Sequence, residues 1–388
     1  MRLRHLHLPC RAPSLYPPYG LASRVQEHLR RQLLDFKDRQ DNTTATTTVS
    51  NTITCQPPPP GVTTTATAAA LVPPPPTVLS FTPLPTFTLG RRQVAPLTES
   101  EVARLQAPLH LLNPPSPSPP PPPPSSPTPT PTPLPATVLN SPRGGLTTYH
   151  GPGQAVLWPV LDLRSAHHKQ YTVRCYSRLL EDTTIATLGS LFSLTAFTTA
   201  DPGVWVQSST AAATATPSVQ TKADSNSSTT TAAAAATTGD ELRRPAKIAA
   251  LGVHLRRHVS ALGTAINVAM PGPDVTSEKA NPWARIVACG LEGKTVTSVA
   301  GELSTSTTGS QPSAVPEEAV VAAAWVEELA RRIGVDGAET VGLEETLALV
   351  EDVLHKSAGE EGGDAPSGQE KEYLAGVREM LSARQERR

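Results

Sequence analysis

Large apolar side chains are scarce in this sequence: 5 Phe, 4 Trp and 6 Tyr stand among 388 residues, against 42 Pro. A core spread over the whole length is thereby excluded. Cysteine is scarce too. Cys10, Cys55, Cys175 and Cys289 form no C-x-x-C pair, which speaks against a disulfide framework or a cysteine zinc site and for a reducing compartment. No run of about 18 apolar residues occurs, so the sequence holds no hydrophobic membrane span. Acids are missing from the start of the chain, where Glu27 is the first and Arg2, Arg4, Arg11 and Arg24 precede it. That bias suits a mitochondrial transit peptide, while "RLRHLHLP" alternates as a strand does, and both readings stand.

What fills the sequence instead is Thr, Ala, Ser and Pro, concentrated in 42–76, 114–135 and 207–240. These stretches cannot bury enough apolar surface to offset chain entropy and are expected to be disordered insertions. The remainder suits a single folded domain over residues 1–356, with a polar linker and a C-terminal helix over 357–388. From Glu302 to Arg388 there are 18 acids and 8 Lys or Arg, net −10, which leaves +9 for the residues before. A basic body with an acidic tail favours an acidic partner, and without an aromatic-interleaved signature or zinc finger an acidic protein fits better than nucleic acid.

The expected class is α/β, with a mixed, largely antiparallel sheet flanked by helices. Val25, Leu29, Leu33 and Phe36 mark an amphipathic helix that ends where the first insertion begins. Thr77–Arg92 reads as two short strands around a proline turn, "TESEVARLQ" as a helix, and "LTTYHGPGQAVLWPVLDLR" as strand, Gly/Pro turn and strand, with Val156, Trp158, Val160 and Leu163 core-facing. A helix follows with Val173, Leu180, Ile185 and Leu188 on its apolar side and Cys175 as core. "KIAALGVHLRRHV" and "TAINVAM" alternate as strands, with His254, Arg256, Arg257 and His258 at a solvated strand end. Pro316–Gly334 is a marked helix, its stripe Val321, Trp325, Leu329 and Ile333 stopped by Gly334. Further helices are expected over 343–355 and 369–386.

"ACGLEGKT", Ala288 to Thr295, fits a permissive P-loop pattern. A P-loop opens a nucleotide domain whose parallel sheet follows it, and the 93 residues after Thr295 pattern mostly as helix. "GPGQAV" lacks the third glycine of a dinucleotide fingerprint. Cys289 alone reads most simply as a small buried hydrophobe, and the proline tracts as spacers, although SH3 or WW ligands share their composition. Two segments alter the weight on Cys289. "SPRGGLTTYHGPGQAVLWPVLDLR" gathers Arg143, glycines, Tyr149 and His150 ahead of an apolar strand that could wall a pocket. Lys247 stands at the mouth of another apolar strand, where desolvation would lower its pKa.

The blocks "PLPTFTLGRR", "RGGLTTYHGPGQ", "AKIAALGV", "GTAINV" and "IVACGL" followed by "VTS" resemble, in kind and order, those of lipoyl(octanoyl) transferases of the lipoate/biotin ligase superfamily. The resemblance implies that family's catalytic-domain fold and transfer of octanoyl, or lipoyl, from acyl carrier protein to a lysine of lipoyl-domain proteins such as the glycine-cleavage H protein and 2-oxoacid dehydrogenase acyltransferase subunits. It implies a monomer, a mitochondrial location, no cofactor and no metal, and neither nucleic acid nor membrane as partner. Cys289 would be the thioester nucleophile and Lys247 the group that lowers its pKa and shuttles protons. Arg143, Gly144, Gly145, Leu146, Thr147, Thr148, Tyr149 and His150 would bind substrate with Ala250, Leu251, Gly252, Gly263, Thr264 and Ala265. A free cysteine is only a few per cent thiolate at neutral pH, and a neighbouring ammonium raises that fraction about tenfold. The sequence departs from the family at Leu262, where many members carry His before the Gly, at Ala288 in place of a usual Pro, and in a Lys247–Cys289 separation of 42 residues. Open alternatives are an ATP-dependent lipoate ligase, a hydrolase with His150 as base for Cys289, and a proline-rich scaffold.

Overall fold

The computed structural model describes residues 1–12, 14–50, 72–110, 133–208, 244–272, 274–286, 294–305, 317–359 and 364–387. Cys289 and most of the three low-complexity stretches lie outside them. Among the described residues twelve strands carry the fold: β1 Leu3–His7, β2 Thr77–Phe81, β3 Thr86–Leu89, β4 Thr137–Asn140, β5 Thr148–His150, β6 Gln154–Val160, β7 Ala196–Phe197, β8 Val204–Ser208, β9 Arg244–Arg256, β10 Val259–Asn267, β11 Thr295–Val296 and β12 Ala338–Thr340. The helices are α1 Tyr19–Ser50, α2 Glu99–Gln106, α3 Val173–Phe192, α4 Val299–Thr305, α5 Glu318–Ile333, α6 Leu343–Gly359 and α7 Gly368–Gln385.

The large sheet runs β12-β1-β2-β6-β10-β9-β8-β7, with β11 on β9. Its pairs are antiparallel from β2 to β7 and parallel at β12–β1, β1–β2 and β9–β11, so the expected mixed, largely antiparallel α/β architecture is what the chain adopts. A small sheet, β4-β3-β5, stands apart. The proline turn after β2 and the Gly-Pro-Gly turn before β6 each carry the chain between the two sheets.

Helices cover both faces of the large sheet. On one, Val25, Leu29 and Leu33 of α1, Val350 and Leu354 of α6 and Tyr373 and Val377 of α7 bury against Phe81, Trp158 and Val160. On the other, Leu180 and Leu188 of α3 and the whole predicted stripe of α5 close over Ile248, Ala249 and Ile266. A third cluster, with Phe87, Tyr149 and Trp283, sits under the small sheet. Arg24 pairs with the almost fully buried Glu370 at 2.5 Å, fastening α7 to α1.

The N-terminal alternation is a strand, with Leu3 and Leu6 fully buried. Several expectations are corrected. Helix α1 continues past Asn42 to Ser50. Gln207 and Ser208, read as insertion, belong to β8. On α3, Cys175 is exposed and Val173 is 54% exposed. Thr183, Thr184 and Thr187 occupy the buried face instead, their hydroxyls donating to the carbonyls of Leu179, Leu180 and Thr183 at 2.7–2.9 Å.

Candidate active site

A cavity of about 380 Å³, partly open to solvent, lies between the small sheet, the middle of the large sheet and the start of α1. Arg143, Thr148 and His150 line it from one side, Ala250, Leu251 and Gly252 of β9 and Leu262, Gly263, Thr264 and Ala265 of β10 from another, and Tyr19 and Trp158 close it. The three sequence blocks expected to bind substrate thus meet at one place. Gly144, Gly145, Leu146, Thr147 and Tyr149 do not line it. Tyr149 is fully buried against Phe87 and Trp283, at ring distances of 5.2 and 5.7 Å, and Thr147 turns to Gln93.

Arg143 is 6% exposed, and its guanidinium is spent on the protein itself. Nη2 donates to the Thr88 carbonyl at 2.6 Å and to Thr88 Oγ1 at 2.8 Å, and Nη1 to the Leu146 and Gly144 carbonyls at 2.8 and 3.0 Å. It holds the 144–146 loop closed against β3 and keeps a positive charge near His150. Gly252 makes room for it, since a Cβ there would stand 3.0 Å from Arg143 Cδ. Gly263 is required more strictly: a Cβ would strike the Leu157 carbonyl oxygen at 2.2 Å, so only glycine lets β10 approach β6 this closely.

His150 stacks on Tyr19 at 5.4 Å. Burial, aided by Arg143, pushes its pKa down to about 3, so the ring is neutral. Its Nδ1 lies 3.1 Å from Gln154 Oε1, while Gln154 Nε2 donates to Asn267 Oδ1 at 2.9 Å and the Tyr149 carbonyl at 3.3 Å. With the Gln154 oxygen turned to the ring, Nδ1 carries the proton and Nε2 the lone pair. The chain of contacts goes on: Asn267 Nδ2 donates to the Thr297 carbonyl at 2.9 Å, and Thr297 N–H to the Lys247 carbonyl at 3.0 Å. Gln154 and Asn267 were not singled out as site residues, although both sit inside the quoted blocks. Trp158 lies on the strand expected to wall a pocket and does line it, while Tyr19 was missed, because a sequence shows it only as an apolar position on a helix.

Lys247 lies on β9, 5% exposed, outside the cavity wall. Pairing of β8 with β9 sets Val204 opposite Ala249 and Trp205 opposite Lys247, and the register shift between them is the kind of irregularity that re-aims a side chain. Lys247 Nζ stands 5.1 Å from the centroid of the Trp205 ring. Lys294 Nζ stands 5.4 Å from the same ring and pairs with Asp201, whose backbone carbonyl accepts from Trp205 Nε1 at 3.2 Å. Strand β11, which opens at Thr295, pairs in parallel with Ala246 and Lys247. Among the described residues no cluster of His, Cys, Asp and Glu suits a metal.

Residues 130–315 match the lipoyl protein ligase A/B catalytic domain family. A probable octanoyltransferase of Schizosaccharomyces pombe is 34% identical over 163 residues, 42% of this chain and 53% of the relative. A mitochondrial octanoyl-[acyl-carrier-protein]:protein N-octanoyltransferase of Danio rerio is 29% identical over 219 residues, 56% of this chain and 64% of the relative. The mitochondrial octanoyltransferase of Saccharomyces cerevisiae is 26% identical over 53% of this chain and 50% of its own length. The chain thus spans about half the length of the curated relatives it matches. Among solved structures, a bi-partite lipoate protein ligase of Thermoplasma acidophilum aligns at a TM-score of 0.43 and 11% identity, over 93% of this chain and 94% of that one. Over residues 130–315 the chain is similar to the lipoyl protein ligase A/B catalytic domain, and it resembles the octanoyltransferases of the lipoate/biotin ligase superfamily.

Proposed function

We propose that the protein is an octanoyltransferase of the mitochondrion, acting as a single catalytic domain and a monomer, that moves octanoyl from acyl carrier protein to a specific lysine of lipoyl-domain proteins. The observation that carries the reading is the cavity: residues from three distant sequence blocks, Arg143 with Thr148 and His150, Ala250 to Gly252, and Gly263 to Ala265, converge on one mostly apolar space. Lys247 lies on the strand that supplies Ala250 to Gly252.

In the proposed reaction the Cys289 thiolate attacks the octanoyl thioester carbonyl, a new C–S bond forms, and the carrier thiolate leaves and takes a proton from Lys247. The acceptor lysine amine then attacks the acyl-enzyme, an amide forms, and Cys289 is released as thiolate while the amine's proton passes to Lys247. Exchange between thioesters is nearly isoenergetic and amide formation runs downhill, so nucleotide is not needed. The basic body before Glu302, net +9, supports an acidic carrier as donor.

The test compares octanoyl carrier protein without nucleotide against octanoate with ATP and magnesium, using a lipoyl domain as acceptor. Transfer from the carrier alone is expected. Activity confined to octanoate and ATP would replace this reading by a ligase.

A further inference from the structure

Leu262 has φ of 60°, a left-handed conformation that is unusual for a leucine and more so inside a strand. Its consequence is visible in the packing. Strict alternation along β10 would point Leu262 to the same face as Ile266, toward α3 and α5, where its cross-strand partner Val253 also packs. Leu262 instead joins the opposite cluster, with Ala265, Trp158 and Tyr19 beside α1. The backbone irregularity moves one isobutyl group across the sheet, and the group lands in the wall of the cavity.

Most of the lining is buried: Tyr19, Trp158, Leu262, Thr264 and Ala265 are each at most 6% exposed, and only Ala250, Leu251 and Gly252 are partly exposed, with Leu262 next to Gly252 across the paired strands. Tyr19 and Trp158 are locked edge to face at 5.2 Å, and Tyr19 is stacked on His150, so neither ring is free to yield to a longer ligand. Local strain persists where the surroundings over-determine it, and it concentrates at ligand sites. We infer that Leu262 sets the length of the acyl chain the cavity accepts, its reversed side chain taking up space in the wall that a longer chain would need. The inference rests on the acyl-transfer reading above.

The experiment measures kcat/KM with hexanoyl, octanoyl, decanoyl and dodecanoyl carrier protein for the parent, Leu262→Ala and Leu262→Gly, alongside thermal unfolding. The parent is expected to prefer octanoyl to dodecanoyl at least tenfold, as a methylene or two without room in an apolar pocket costs that much. Both variants are expected to raise the dodecanoyl-to-octanoyl ratio at least tenfold. Leu262→Gly is expected to unfold at higher temperature than Leu262→Ala, reversing the usual order, because glycine tolerates the positive φ. A parent that uses octanoyl and dodecanoyl equally would overturn the inference without any variant, as would an unchanged ratio in folded variants. A parent that moves no acyl group of any length from the carrier would overturn the acyl-transfer reading itself.

Discussion

Lys247 and Trp205 face one another across β9 and β8, with the ammonium 5.1 Å from the centroid of an indole that is fully buried. A cation over a desolvated tryptophan face gains on the order of 1–2 kcal/mol. The ring thus helps hold the Lys247 side chain in place. Lys294 shares the ring but is 44% exposed and already paired with Asp201, a surface ion pair of small worth.

The two lysines should therefore separate on mutation. Lys247→Ala is expected to abolish transfer, while Lys294→Ala lowers kcat less than about threefold. Trp205→Leu should lower kcat about tenfold and Trp205→Phe, which keeps an aromatic face, much less. Steady-state kinetics on the carrier-protein donor, with thermal unfolding to monitor folding, checks all four. Loss of activity in Lys294→Ala equal to that in Lys247→Ala would contradict this assignment.

The hydrogen-bonded chain from His150 to Lys247 gives a stability forecast. Asn267→Ala leaves Gln154 Nε2 and the Thr297 carbonyl without the bonds Asn267 provides, at a cost of about 1–3 kcal/mol for each buried group. Urea titration should show a loss of about 2–5 kcal/mol with an unchanged m value. A loss under about 0.5 kcal/mol would mean that water replaces the asparagine without penalty.

Acid should destabilise the fold before any carboxylate titrates fully. Burial pushes His5 and His7 down to about 4, His5 with help from His7, and both rings share the hydroxyl of Ser80, at 2.7 and 2.8 Å. His150 is pushed further, to about 3. The unfolded chain takes up these protons near pH 6.5 and the folded chain only near 3–4. Stability is therefore complete above 6.5 and is lost as pH falls from there toward 4, by up to about 3 kcal/mol per histidine. Tm should fall by roughly 10 °C or more between pH 7 and 4.5, and His7→Gln should flatten the slope. A Tm constant over that range would show that the rings take up protons in the fold as readily as in the unfolded chain.

How much of this was readable in the sequence depends on whether a residue's partners are local. The stripe and the Gly334 stop of α5 are encoded within one helix, and the structure buries all four stripe residues completely. On helix α3, Leu180 and Leu188 bury as their spacing predicts, but threonines share the buried face: hydroxyls that bond to carbonyls one turn back can be buried, as Trp325 Nε1 on Thr184 Oγ1 shows at 2.9 Å, yet they carry no apolar signal. Cys175 was assigned to the core for that reason. The blocks flanking Arg143, Ala250 and Gly263 could be recognised as site segments, but the division of labour within Arg143–His150 could not, since it is set by β3, which lies in another sheet from β6. Leu262 was visible as an unusual residue, while the reversal of its side chain is a property of the backbone alone.

Acyl capture by Cys289 is the centre of the account, and intact-mass analysis after mixing the protein with octanoyl carrier protein, without acceptor, addresses it directly. Cys175 is exposed, and Cys10 is half-buried with its thiol pushed up to about 12 by burial and by Glu318, so peptide mapping must say which sulfur carries the mass. One octanoyl group on Cys289 is expected, absent in Cys289→Ala and retained in Cys175→Ala and Cys10→Ala. An adduct that survives loss of Cys289, or transfer to the acceptor that proceeds at the parent's rate in Cys289→Ala, would contradict the proposed mechanism.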